Sequence, residues 1–184
     1  MVEIQSRESG VPTIVIRIAT RQDLPQLGDL VRQEVEYQQT LARSFELIPQ
    51  VDWAGYVSAT FRDHSTEILV AEQDDHLVGY IVVRIIQASP CTLREWFTAV
   101  VRRYLRRKQR KVGRIGIIED IYIVSTLREH GVATRLLQSS LQWFQSQHAA
   151  EIQAAIWTTN KVSLSFAHKS GFEPFKLVMS KRLQ

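Results

Sequence analysis

The chain has 184 residues, 45% of them hydrophobic and 23% charged, as in an ordinary globular protein long enough to bury a core. No stretch approaches the roughly 20 apolar residues of a membrane-spanning helix. Met1–Ser9 is charged where a signal peptide would be apolar. The single cysteine, Cys91, excludes an internal disulfide and any multi-cysteine metal site, and fits a reducing, cytoplasmic setting. The net charge of +4 is unevenly distributed. Residues 102–114 (RRYLRRKQRKVGR) carry eight of the 23 basic residues and no acidic one, leaving 15 basic against 19 acidic elsewhere. The chain is a mildly acidic body with one basic segment.

Thr13–Ala19 alternates β-branched residues with others and predicts a strand. Thr20, with Asp23 three residues on, predicts a helix start, and that helix runs to about Arg43. A break around Ile48–Val51 precedes a second helix over Asp52–Arg62. Glu67–Glu72 and Leu77–Ile86 predict two strands joined by a hairpin across Gln73–His76. Thr92–Lys111 opens on a Thr92/Glu95 capping box and carries Leu93, Trp96, Phe97, Val100, Val101, Tyr104 and Leu105 at helical spacing. Ile115–Val124 is β-forming and largely apolar, as a central strand should be. Helix Gly131–His148, strand Glu151–Trp157, short helix Lys161–Lys169 and a last strand Phe172–Lys181 complete one mixed α/β domain with a helix-covered sheet.

The most informative stretch is IEDIYIVSTLREHGVA, Ile118–Ala133. A buried strand ends, a polar turn follows, and a helix begins with a glycine inside the turn. Backbone N–H groups at such a place lack helical partners and, with the helix dipole, suit anionic oxygens. Gly131 lets a phosphate approach without a Cβ in the way, and Arg128 can add positive charge. One turn glycine alone fits an ordinary loop equally well. The glycine patterns of dinucleotide folds and P-loops are absent.

Arg128-x-x-Gly131-x-Ala133 resembles the R/Q-x-x-G-x-G/A signature of the GCN5-related N-acetyltransferase (GNAT) family. Asn160-x-x-Ser163-x-x-Phe166-x-x-Lys169-x-Gly171-Phe172 resembles the family's downstream motif, about 30 residues on. The element order is also that of the family, from about residue 13 onwards. The resemblance implies one N-acetyltransferase domain over 1–184, with its core at about 13–183 and a basic helical insertion at 90–114. The implied fold is α/β, a single mixed, mostly antiparallel central sheet with helices on both faces. Acetyl-CoA is the implied co-substrate, with no metal. The backbone of Ile121, Tyr122 and Ile123 would follow the pantetheine arm. The turn, Arg128, Glu129, His130, Gly131, Val132, Ala133 and Thr134, would hold the pyrophosphate. Asn160 and Ser163 would touch the cofactor arm, and the strands carrying Ile123 and Trp157 would splay to admit the thioester.

Acyl transfer to an amine needs the neutral nucleophile, which at pH 7 is roughly one molecule in two thousand for a lysine-like amine. A carboxylate base is the usual device. Glu119 and Asp120 lie on the right strand, and strict alternation turns them to opposite faces. The resemblance favours Glu119 as base, with Asp120 orienting the amine or serving structure; both also fit plain surface pairing. The N–H of Ile123 could stabilise the developing oxyanion. One position departs from the family pattern. Where the family usually has a tyrosine that protonates the departing thiolate, this chain has Ala167. Tyr122, Tyr37 and Ser165 are the candidate replacements, His168 a poor one. The departure leaves a non-catalytic acyl-CoA-binding sensor as an alternative reading.

The basic helix Thr92–Arg114 fits a solvated face, an acidic substrate or the CoA phosphates. Contact with nucleic acid or a membrane surface, or a role as a nucleic-acid-associated adaptor, is open through 92–114 but has no accompanying motif. Trp53, Trp96, Trp143 and Trp157 read as core or interface residues, Cys91 reads as inert, and a homodimer is left open.

Overall fold

The computed structural model describes residues 13–41, 52–87 and 113–176. The Thr92–Lys111 helix with Cys91, residues 102–112 of the basic segment, the break at 48–51 and residues 177–181 of the last strand lie outside the described residues.

Thr20 N–H donates to the Asp23 carboxylate at 2.6 Å, fixing a 3-10 turn, Arg21–Asp23, that leads into helix α1, Leu24–Leu41. Helix α2, Trp53–Thr60, is capped by Asp52, whose carboxylate accepts from Gly55 N–H at 2.9 Å. Strand β1, Val15–Ile18, pairs antiparallel with β2, Thr66–Gln73, and β2 with β3, His76–Gln87. The β2–β3 hairpin turns through Asp74 and Asp75, both at positive φ (51° and 63°), as a two-residue turn requires. Strand β4, Arg114–Ile123, runs antiparallel to β3. Helix α3, Val132–Ser146, then crosses back so that β5, Ala149–Ala154, pairs parallel with β4. Helix α4, Lys161–Lys169, follows. Among the described residues the open sheet has five strands, in the order β1-β2-β3-β4-β5. Residues 172–176 form no strand. Instead Phe172 N–H and Gly171 N–H, with Gly171 at φ 85°, close α4 onto the carbonyls of Ala167 and His168.

Helices cover both faces, as the sequence predicts. Leu27, Leu30 and Val31 of α1 and Val57 of α2 pack on Ile68, Val70, Tyr80, Val82 and Tyr122. On the other face Val132, Leu136, Leu137 and Phe144 of α3 pack on Ile81, Val83, Ile118 and Ile123. Phe144 is fully buried and lies over Gly116, where an added Cβ would sit 2.5 Å from its ring. Close helix-on-sheet packing here depends on that glycine.

The β3–β4 register contains the feature that shapes the site. Val82 faces Asp120 and Val83 faces Ile118, so Glu119 is the extra residue of a β-bulge. Ile118 therefore packs under α3 while Asp120 shares the α1/α2 face with Tyr122. Strict alternation, which would put Glu119 and Asp120 on opposite faces, fails here. The bulge inserts half a pleat, and both carboxylates line one pocket on the α1/α2 side.

Candidate active site

The turn after β4 has the construction an anion site needs. Glu129 (φ 67°) and Gly131 (φ 78°) adopt left-handed backbone, which turns successive amides outward. Among the described residues none of the amides of Glu129–Thr134 donates to a backbone acceptor. The next amide, that of Arg135, closes the first helical turn onto Gly131 O at 3.1 Å. A Cβ built on Gly131 meets nothing within 4 Å, so the space in front of these amides is open. Glu129, His130, Gly131 and Thr134 are exposed, Ala133 is half-buried, and Val132 anchors the turn in the core at 1% exposure.

Among the described residues the neighbouring strand edge is open as well. Pairing between β4 and β5 stops at Ile118–Ala154, whereas β4 stays paired with β3 as far as Ile123–Gly79. Val124 N–H donates to Val78 O at 3.0 Å on the β3 side. By alternation the peptide groups of Ile121 and Ile123 face the other way, into the gap beyond the last β5 partner. The Ile123 carbonyl there accepts from Arg128 Nε at 3.1 Å.

The α1/α2 face of β4 holds a narrow pocket lined by Glu119, Asp120, Tyr56, Tyr80, Val82 and apolar residues of α1 and α2. Glu119 Oε1 is 2.8 Å from Arg84 Nη2, a partly exposed ion pair. Asp120 has no such partner among the described residues. Burial, with the negative charges of Glu34 and Glu119 close by, pushes its carboxyl up to about 7. Glu34, on the buried stripe of α1, is 6% exposed and accepts from the Gln38 side-chain amide. Burial raises its pKa as well. Tyr80 is 1% exposed, and its hydroxyl has no hydrogen-bond partner among the described residues.

The remaining predicted site residues are placed as follows. Arg128 does not point at the free amides. Its guanidinium lies over the Tyr37 ring at 4.7 Å and 5.6 Å from the Tyr122 ring, held by Ile123 O. Tyr122 is buried, with its hydroxyl 3.4 Å from Gln33 Oε1. Asn160 caps α4 through Oδ1, which accepts from Ser163 N–H at 3.1 Å. Ala167 is half-buried on α4, while Ser165 and His168 are exposed. Trp157 Nε1–H donates to Gln38 Oε1 at 3.0 Å, so the end of α1 ties to the loop after β5.

Sequence reading missed Glu34, Gln38, Tyr56, Tyr80 and Arg84. A signal existed for Glu34, since Leu27, Leu30, Val31 and Glu34 share one helical stripe, so a carboxylate stands at a core position. Tyr80 stands alone as a hydroxyl within a buried apolar strand.

Residues 30–172 match the acetyltransferase (GNAT) family. The chain belongs to that family and is an enzyme of the acyltransferase class. No curated protein sequence matches it. Among solved structures, a mutant of the BH1408 protein from Bacillus halodurans superposes with a TM-score of 0.75 at 18% identity, over 92% of this chain and 99% of that one. Aminoglycoside N-acetyltransferase AAC(6')-Iy in complex with CoA gives 0.65 at 15% identity, over 94% and 96%. An aminoglycoside acetyltransferase from an uncultured soil metagenomic sample, in complex with sisomicin, gives 0.64 at 14% identity, over 93% and 97%. At these identities the likeness is one of fold. No described helix is long and apolar enough to cross a membrane.

Proposed function

We propose that the protein is an N-acetyltransferase acting on a primary amine with acetyl-CoA as co-substrate, and that Asp120 is its base. The observation that carries this reading is the placement of Asp120, a half-buried carboxylate without a cation partner among the described residues, on the strand whose open edge leads to the free amides around Gly131. The residues fit the co-substrate: those amides suit a pyrophosphate, and the unpaired edge at Ile121 and Ile123 suits an amide-bearing arm. When bound, acetyl-CoA supplies an acetyl group activated as a thioester.

The chain's residues supply the rest. An alkylammonium must lose a proton before its nitrogen can attack, and a base titrating near 7 takes that proton without holding it too tightly. Ile123 N–H, turned into the gap, donates to the oxygen that gains charge. The C–N bond forms, the C–S bond breaks, and the thiolate takes up a proton on leaving. Glu119 is committed to Arg84 and orients the amine instead of deprotonating it. The side-chain NH2 of Asn160, without a partner among the described residues, is offered to the cofactor arm. We also assign the protein to the cytoplasm, from its single cysteine.

Thiol release across a panel of primary amines tests the reading, with wild type compared against Asp120→Asn. Turnover by wild type and its loss in the variant are expected. Acetyl-CoA binding with no amine turned over would convert the reading to a non-catalytic acyl-CoA sensor.

A further inference from the structure

The chemistry described so far leaves Arg128 without a task. It stands immediately before the turn of free amides, yet its side chain folds back onto the end of β4, where Nε donates to Ile123 O at 3.1 Å. Aromatic rings keep it there. The guanidinium carbon lies 4.7 Å from the centre of the Tyr37 ring, on α1, and 5.6 Å from that of Tyr122, on β4. Arg17, Arg32 and Arg84 face carboxylates. Among the described residues Arg128 has a carbonyl and two rings instead, partners that fix a cation without cancelling its charge. The side chain is half-buried, so water and salt screen that charge less than one on the open surface.

The contact with Ile123 gives the charge a place in the reaction. A strand residue turns its N–H and its C=O to the same edge, so the oxygen that Arg128 holds is next to the Ile123 N–H that faces the gap. The following peptide is pinned on both sides: its carbonyl is held by Arg128, and its N–H, that of Val124, donates to Val78 O at 3.0 Å. Left bare, the Ile123 carbonyl would turn a lone pair towards an oxygen seated on the Ile123 N–H and oppose charge gathering there. A charge-assisted bond from the guanidinium occupies that lone pair and leaves a net positive charge beside it. Donors and charges already in position stabilise a developing negative charge without having to reorganise.

We propose that Arg128 is a positioning residue for acyl transfer: through Ile123 O it fixes the backbone that offers the Ile123 N–H, and it keeps a positive charge beside the thioester oxygen as that oxygen gains charge. This rests on the acyl-transfer reading for the seat of the thioester at Ile123, and on nothing about the acceptor. Arg128 keeps its protons throughout and forms no covalent bond. Lysine is a poor substitute, because it has neither the planar face that stacks on Tyr37 nor the fixed Nε–H.

The test uses the full chain and acetyl-CoA isotopically labelled at the thioester carbonyl, whose stretching frequency is read by infrared difference spectroscopy. The frequency should fall when acetyl-CoA binds to wild type. Arg128→Met keeps an unbranched stem without charge or N–H, and should lose most of that shift while calorimetry shows acetyl-CoA affinity nearly unchanged. Arg128→Lys should fall in between. Tyr37→Phe, which keeps the ring, should keep the shift, and Tyr37→Leu should lose part of it. With an amine that is turned over, kcat and kcat/KM should drop together in Arg128→Met, by about tenfold or more. A carbonyl that does not shift in wild type, or shifts equally in Arg128→Met, overturns the proposal, and acetylation of amines would then leave the acyl-transfer reading standing. Weakened acetyl-CoA binding with unchanged kcat also overturns it and makes Arg128 a phosphate ligand. A shift lost in Arg128→Met, with no amine acetylated by wild type, supports the proposal while the acyl-transfer reading fails alone. Should Arg128→Met not fold, the same readouts on Arg128→Lys and Tyr37→Leu decide.

Discussion

At its C-terminal end β4 leads into a candidate site made of backbone: among the described residues, six consecutive amides without backbone acceptors, Glu129–Thr134, in front of a glycine with open space around it. A few residues earlier the same strand contributes to a site made of side chains, with Tyr56 and Tyr80 brought from two other elements to line one pocket with Glu119 and Asp120, and the charge of Glu34 close by. The first attracts anions because a helix start leaves its N–H groups unpaired whatever the side chains are. The second makes Asp120 hold its proton up to about 7, because burial isolates a carboxylate from water. A backbone site tolerates most substitutions that preserve its turn, and a side-chain site fails with a single atom changed. Mutations at the two should therefore separate binding of the co-substrate from chemistry on the acceptor.

The sharpest division comes from Asp120→Asn, which should lower kcat by about 10²–10⁴ with acetyl-CoA affinity nearly unchanged. The wild-type pH–rate profile should rise to a plateau above about 7, and the variant should lack that limb. Stability gives a second readout. The folded chain keeps the Asp120 proton from its ordinary value of 3.8 up to about 7, where the unfolded chain has lost it. Stability should therefore fall as pH rises through that window, by up to about 4 kcal/mol, and the variant should lose that slope. A variant with an unaltered profile in both experiments would remove Asp120 from the chemistry.

Gly131→Val should act in the opposite way. Its side chain would fill the space before the free amides and sit at φ 78°, a backbone conformation disfavoured for β-branched residues by about 1–2 kcal/mol. Acetyl-CoA should bind at least about tenfold more weakly, measured by calorimetry, with amine selectivity retained. Undiminished affinity in a folded variant would take the turn out of the cofactor site.

Glu119→Gln should cost less than Asp120→Asn, about tenfold in kcat/KM and mostly through KM, because it breaks the pair with Arg84. A larger loss than that of Asp120→Asn would restore Glu119 as the base. The smallest effect is expected at Ala167. Ala167→Tyr adds a phenol on α4, and acyl transfer, followed by thiol release, should change by no more than about tenfold. A rise would show that protonation of the leaving thiolate limits the rate. A steep loss with the fold intact would show that another group uses that space.

The strand Ile115–Val124, the helix beginning near Gly131 and the hairpin at Asp74–Asp75 were legible residue by residue, because each depends on local periodicity and turn chemistry. The bulge at Glu119 was not. Nothing in I-I-E-D-I-Y marks which residue will lack a partner; the opposing run of β3, with Val82 and Val83 committed to different faces, decides it. Arg17 shows the same limit, since its bidentate pairing with Asp23 at 2.8 Å and its bond to Glu72 at 2.5 Å join three separate stretches of chain. The sequence neighbours of Arg128 point to a phosphate ligand, whereas Ile123 O and the Tyr37 ring hold its guanidinium elsewhere.

By itself the sequence determined the element order, the family-like motifs and the glycine at which a helix opens towards an anion, since those are properties of contiguous residues. Tertiary structure alone decided that two adjacent carboxylates share a face, that Tyr80 joins them with Glu34 close by, and that Arg84 pairs with Glu119. Those outcomes depend on which side chains strands and helices distant in sequence bring together, and on how much water that packing removes.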